Sequence, residues 1–142
     1  LMAASLGDIA VTGFEGPRAQ GGPHKYFFKV SDRPDGRIDF SRPVAKIARF
    51  VRALSYRPLS SPLGVPYIAM PGGLLEIASV AADVHPVGPP PSPGQITDLE
   101  QDSIGIACLD GVIVAKSCYL AGKRLAVGPT ARSLGIQVGS VI

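Results

Sequence analysis

A mainly β domain, a small barrel carrying one helix, is the fold this sequence predicts. Three observations point there. The 142 residues include 17 Gly and 14 Pro and no Trp, which forces frequent turns and short elements. The apolar stretches beyond residue 66 are short and punctuated by Gly and Pro. One segment alone stands out with sustained helical spacing of its apolar residues. The length suits a single domain with its own core.

The elements follow in order. Leu1 to Val11 reads as the end of a helix, with Leu6 and Ile9 at helical spacing, and it runs into the breakers of Thr12–Pro17. Residues 1–20 are therefore expected to be the end of a preceding helix and a linker, and residues 21–142 one barrel domain. Lys25–Val30 is rich in aromatics and reads as a strand or extended arm, and Pro34-Asp35-Gly36 as a turn. The helix comes next. Ser41 is a natural N-cap, Pro43 sits in the first turn, and Val44, Ile47, Val51 and Leu54 share one face. Lys46, Arg49 and Arg52 recur every three residues and are expected close together on the flank of that face.

Tyr67–Met70 and Leu74–Val84 are apolar stretches set between Gly64, Pro66, Pro71 and Gly72. The run His85–Gly94 holds five prolines and predicts an exposed, polyproline-like connector. Gly94–Leu99, Ser103–Cys108 and Val112–Leu120 read as consecutive strands, with a hairpin turn at Asp110-Gly111. A regular hairpin there sets position 108 opposite 113 and 118 opposite 103. Cys108 and Cys118 are then too far apart to bond, and both read as small buried apolar residues. Gly122 opens a basic turn, Lys123-Arg124. Thr130–Leu134 predicts a single helical turn, and Gln137–Ile142 a closing strand.

Charge is segregated along the chain. Residues 18–57 hold ten of the 14 Lys and Arg against three acids, whereas residues 58–115 hold six acids and no Lys or Arg. Such blocks speak of partners more than of fold. The basic arc comprises Lys25, Lys29, Arg33, Arg37, Arg42, Lys46, Arg49, Arg52 and Arg57. It interleaves with Tyr26, Phe27, Phe28, Phe40 and Phe50, a combination that suits phosphates and stacked bases. The alternative is a solvated face whose arginines pair with Asp32, Asp35 and Asp39 while the aromatics are buried. Within a binding reading the candidate residues are Lys25, Lys29, Arg37, Lys46, Arg49, Arg52, Lys123 and Arg124.

Catalytic chemistry finds little to work with. The chain has no Asn, its only histidines are His24 and His85, and its two cysteines have no zinc spacing. No catalytic residue and no metal site is expected. No apolar run is long enough to span a bilayer and no signal segment opens the chain, so a cytoplasmic location without membrane contact is expected.

Several segments match a family in order and spacing. Asp35-Gly36-Arg37-Ile38-Asp39-Phe40, leading into a helix that ends Val51-Arg52-Ala53-Leu54, resembles the C-terminal domain of methionyl-tRNA formyltransferases, with Phe40 where that family has Trp. Pro93-Gly94-Gln95-Ile96, Gly105-Ile106-Ala107-Cys108 with Asp110-Gly111-Val112, Leu120-Ala121-Gly122-Lys123-Arg124 and Val138-Gly139 resemble its later segments. The resemblance covers about residues 15–142. It implies an open, OB-like β-barrel with an amphipathic helix on its N-terminal side.

It also implies a non-catalytic, substrate-positioning role beside an N-terminal catalytic domain that uses 10-formyltetrahydrofolate. That domain works through an Asn, a His and an Asp, and Leu1–Ile9 would correspond to the end of its last helix. No cofactor is expected on this chain, which lacks both the Asn and the Ser-Leu-Leu-Pro folate segment of that domain. The implied acceptor is tRNA or another phosphate-bearing molecule. The absence of Lys and Arg from residues 58–115 keeps two alternatives open: a structural or protein-interaction module that does not bind RNA, with an oligomer compatible, and a domain for a carrier-protein- or nucleotide-linked amine.

Overall fold

Period-two burial shapes the middle of the chain. In a computed structural model, which describes residues 35–57, 59, 63–83 and 91–142, six antiparallel strands form one sheet. These are β1 (Tyr67–Met70), β2 (Gly73–Asp83), β3 (Ile96–Leu99), β4 (Ile104–Ala107), β5 (Val112–Leu120) and β6 (Lys123–Leu125). Five of them run in the order β1-β2-β5-β4-β3, and β6 pairs with the second half of β5. The sheet curls into an open half-barrel of the expected class. Its described residues all belong to the compact unit Ser31–Ile142.

The helix α1 (Val44–Leu54) closes the barrel. Val44, Ile47, Val51 and Leu54 are its buried residues, as their spacing requires. Val44, Ile47 and Val51 pack with Leu75 and Ile77 of β2, Ile104 and Ile106 of β4, and Ile113, Ala115 and Cys118 of β5 in one apolar core. Burying each large aliphatic side chain is worth roughly 1.5–3 kcal/mol. At the far end of α1 the Ser55 hydroxyl donates to the Ala78 carbonyl at 2.6 Å. Ala78 lies where β2 slips register against β5, so this bond supplies a partner at the point where the ladder is irregular.

Five local expectations are corrected. Ser41 does not cap α1: its hydroxyl and N–H both donate to Asp39, and the carboxylate of Asp110 accepts from the Val44 N–H at 2.7 Å instead. The β4–β5 hairpin is shifted accordingly. Ala107 faces Val112 and Ile106 faces Ile113, while Cys108–Gly111 forms a four-residue loop closed by Cys108 N–H donating to the Gly111 carbonyl at 2.8 Å. The shift is by an even number of residues, so the inward-facing set is unchanged.

The basic pair Lys123-Arg124 does not form a turn. The two-residue turn is Ala121-Gly122, with φ of 49° and 78°, the conformation a tight hairpin favours, and Lys123 and Arg124 lie on β6. The turn expected at Thr130–Leu134 is a longer helix, α2 (Val127–Ser133). Pro129 falls in its first turn, where no N–H is needed. Gly128 lets α2 approach the backbone at Glu100 so closely that a Cβ would overlap the Glu100 carbonyl oxygen. Residues 139–142 run beside β3 through four backbone contacts rather than as a full strand: Ile96 N–H to Ser140, Gly139 N–H to Ile96, Ile142 N–H to Gly94, and a bridge between Gln95 and Val141.

Cys108 and Cys118 are free and buried, as read from the sequence, although by a different register. Cys118 faces Ile77 and Leu125, and its thiol donates to the Leu125 carbonyl at 3.3 Å. The expectations for residues 1–20, for the arm Lys25–Val30 with Lys25 and Lys29, and for most of the proline-rich connector lie outside the described residues.

Candidate functional site

The segment before α1 alternates strictly. Gly36, Ile38 and Phe40 are buried, while Asp35, Arg37 and Asp39 are exposed. Two backbone bonds hold it to β1: Ile38 N–H donates to the Tyr67 carbonyl at 2.9 Å, and Tyr67 N–H to the Gly36 carbonyl at 2.8 Å. Gly36 packs directly on the Val65 carbonyl. Pairing thus turns Arg37 and Asp39 outward beside the first turns of α1.

A cleft of about 260 Å³ lies between this segment and the helix. Ile38, Ile47 and Phe50 supply its apolar surface, and Arg37, Asp39, Arg42 and Lys46 its charged groups. Phe50 is half-buried and packs against the core. Asp39 accepts from the Ser41 hydroxyl at 2.6 Å, the Ser41 N–H at 3.0 Å and the Arg42 Nε at 3.1 Å. These bonds, Ser41's first, hold its carboxyl below the usual carboxylate range. Arg42 is thereby neutralised. Among the described residues, Arg37 and Lys46 make no ion pair.

The three regularly spaced cations of α1 do not cluster on one flank. Each three-residue step falls about 60° short of a full turn, so Lys46, Arg49 and Arg52 spiral across the solvent side. Lys46 borders the cleft with Arg37. Arg49 is exposed, on the face away from the core. Arg52 borders a separate hollow of about 200 Å³ with Ser55, Ala78 and Val80. Lys123 and Arg124 are exposed on β6 and border neither hollow. The structure therefore brings Arg37 and Lys46 together and spreads the remaining described candidates.

Arg57, part of the basic arc, is committed elsewhere. Its guanidinium donates to both Glu76 carboxylate oxygens, at 2.7 and 2.6 Å. It also lies 4.8 Å from the centre of the Tyr119 ring. Tyr67, Glu76, Tyr119 and Arg124 are successive cross-strand partners, so this row ties four strands together on one face. The sequence signal for it was the tight turn at Pro71-Gly72, which sets Tyr67 opposite Glu76. Of the interleaved aromatics, Phe40 is buried in the core and only Phe50 reaches the cleft among the described residues.

Burial pushes the Cys108 thiol up to about 11 and raises that of Cys118. No group of three His, Cys, Asp or Glu side chains is placed to hold a metal there. No helix among the described residues is long and apolar enough to cross a membrane.

Comparisons with known proteins agree on one relationship. The family described as the formyl transferase C-terminal domain matches residues 31–130. A methionyl-tRNA formyltransferase of Roseiflexus castenholzii is 32% identical over 119 residues, covering 82% of this chain and 35% of that protein. One of Rhizorhabdus wittichii is 31% identical over 110 residues, covering 77% and 32%. One of Lachnospira eligens is 25% identical over 130 residues, covering 89% and 39%. The chain thus spans about a third of the length of these relatives.

Proposed function

The chain belongs to the formyl transferase C-terminal domain family, and from that premise we propose that it is a non-catalytic domain that positions a phosphate-bearing acceptor, tRNA foremost, for formyl transfer. One observation carries this reading. The helix α1 presents Lys46, Arg49 and Arg52 to solvent, none of them engaged in an ion pair among the described residues. Cations left free on one rigid element are suited to track a phosphate backbone, whose contacts release bound counterions. The matched relatives bear the name methionyl-tRNA formyltransferase, which makes tRNA the first acceptor to test.

The donor chemistry belongs, on this reading, to an N-terminal catalytic domain. The resemblance implies that 10-formyltetrahydrofolate on that domain supplies the formyl group, with an Asn, a His and an Asp of that domain at work. The role left to these residues is to bind and orient the acceptor.

Titration of the 142-residue chain with a methionine-accepting tRNA at 50 and 200 mM salt tests the reading. Three phosphate contacts would weaken binding on the order of 40-fold across that range, and Arg49→Gln would reduce the loss to about 12-fold. No binding at 50 mM salt overturns it.

A further inference from the structure

The cleft between the 36–42 segment and α1 has a composition that the helix face does not share. It combines two cations that make no ion pair among the described residues, Arg37 and Lys46, with an aromatic ring, Phe50, and the aliphatic surface of Ile38 and Ile47. Its one carboxylate among the described residues, Asp39, is already committed to Ser41 and Arg42, so the net charge of the cleft's described lining is positive. We propose that this cleft binds a single nucleotide unit, with the phosphate between Arg37 and Lys46 and the base against Phe50. The inference deepens the acceptor reading above and rests on it.

Size and chemistry both favour one nucleotide over a larger or simpler ligand. At about 260 Å³ the cleft falls below the roughly 300–1,000 Å³ of pockets that enclose a whole small molecule. It suits one unit of a strand whose remainder stays outside. A bare anion would be served by the cations alone and would leave the ring and aliphatic surface unused. Stacking on an aromatic side chain is tolerant of base identity, so recognition here is of an unpaired nucleotide rather than of a particular base. Arg49 and Arg52 lie outside the cleft and serve as controls.

The test is a two-dimensional amide NMR titration of the 142-residue chain with AMP, adenosine and inorganic phosphate at low salt. AMP is expected to shift the resonances of residues 37–50 saturably and to bind at least tenfold tighter than phosphate or adenosine. Arg37→Gln with Lys46→Gln abolishes AMP binding, whereas Arg49→Gln leaves it unchanged while weakening tRNA. Phe50→Leu lowers AMP affinity about tenfold without altering the response to phosphate, and Phe50→Tyr, which keeps the ring, retains both. Equal affinity for AMP and phosphate overturns the nucleotide assignment, as do shifts centred on Lys123 and Arg124. Binding of tRNA that is unaffected by the Arg37 and Lys46 changes overturns the cleft and leaves the acceptor reading standing. Failure of tRNA to bind at all while AMP binds overturns the acceptor reading instead.

Discussion

The N–H of Val44, the first residue of α1, donates to the carboxylate of Asp110 across 66 residues of chain, at 2.7 Å. A β-hairpin loop thus caps the helix that carries both the cleft wall and the solvent-facing cations. The same loop, Cys108–Gly111, joins β4 and β5 with Ala107 opposite Val112, so helix cap and hairpin turn share one segment.

Asp110→Ala removes a cap and is expected to destabilise the domain by about 1 kcal/mol. Asp110→Asn keeps an accepting oxygen and should cost less. Urea unfolding of both variants measures the difference. Equal losses would mean that the carboxylate's charge at the helix N-terminus, rather than the hydrogen bond, is the stabilising feature.

Asp39 should titrate below an ordinary aspartate. Its carboxyl is lowered by hydrogen bonds from Ser41 first and Arg42 second. A depressed folded-state value means that these bonds stabilise the fold above the ordinary aspartate value of 3.8, and that this contribution is lost as pH falls through the lower folded value. Carboxyl NMR titration is expected to show Ser41→Ala restoring Asp39 toward its ordinary value further than Arg42→Gln does. The reverse order would place the guanidinium, not the Asx-type turn, as the dominant partner.

Cys108 should resist alkylation in the folded protein at pH 8. Burial raises its thiol from 9.0 to about 11, so little thiolate, the reactive form, is present. The linkage runs opposite to that of Asp39: the contribution to stability is full below pH 9.0 and declines as pH rises to about 11. Iodoacetamide labelling followed by mass spectrometry, with and without urea, measures the protection. Rapid labelling of Cys108 without urea would contradict its burial.

Much of this fold was legible because its signals are local. The spacing of Val44, Ile47, Val51 and Leu54 is a property of one helix, and the alternation of Ile104 and Ile106 a property of one strand. What escaped involves distant segments. The partner of the Val44 N–H comes from a hairpin loop, and nothing near Ser41 announces it. The extent of α2 escaped because Gly and Pro are the poorest residues for a helix interior, although Gly128 serves a close approach and Pro129 a first turn. The candidate site was half legible. The identity of the basic residues is plain in the sequence, but their three-residue spacing suggests a cluster where helix geometry spreads Lys46 and Arg52 to separate hollows. Only the tertiary fold shows that Arg37 and Lys46 border one cleft.

Two glycines separate steric crowding from backbone conformation. At Gly128 a Cβ would overlap the Glu100 carbonyl oxygen, and neither partner is the free end of a side chain. Gly128→Ala must therefore push α2 away from the loop before β4, and overpacking of this kind costs about 3 kcal/mol. At Gly122 nothing lies within 4 Å of the added Cβ, but φ is 78°, a left-handed conformation that costs an L-residue roughly 1 kcal/mol. Gly122→Asn should recover part of that, since Asn tolerates the conformation better than Ala. Denaturant unfolding is expected to rank the losses Gly128→Ala first, Gly122→Ala second and Gly122→Asn third. Because β6 carries Lys123 and Arg124 directly after this turn, the Gly122 variants also report on the hairpin's local order. Gly128→Ala acts through α2, whose buried Val127 and Ala131 join the core, and so should lower global stability. A loss at Gly128 no larger than that at Gly122 would mean that the loop at Glu100 yields, and that the close approach is not what holds α2 in place.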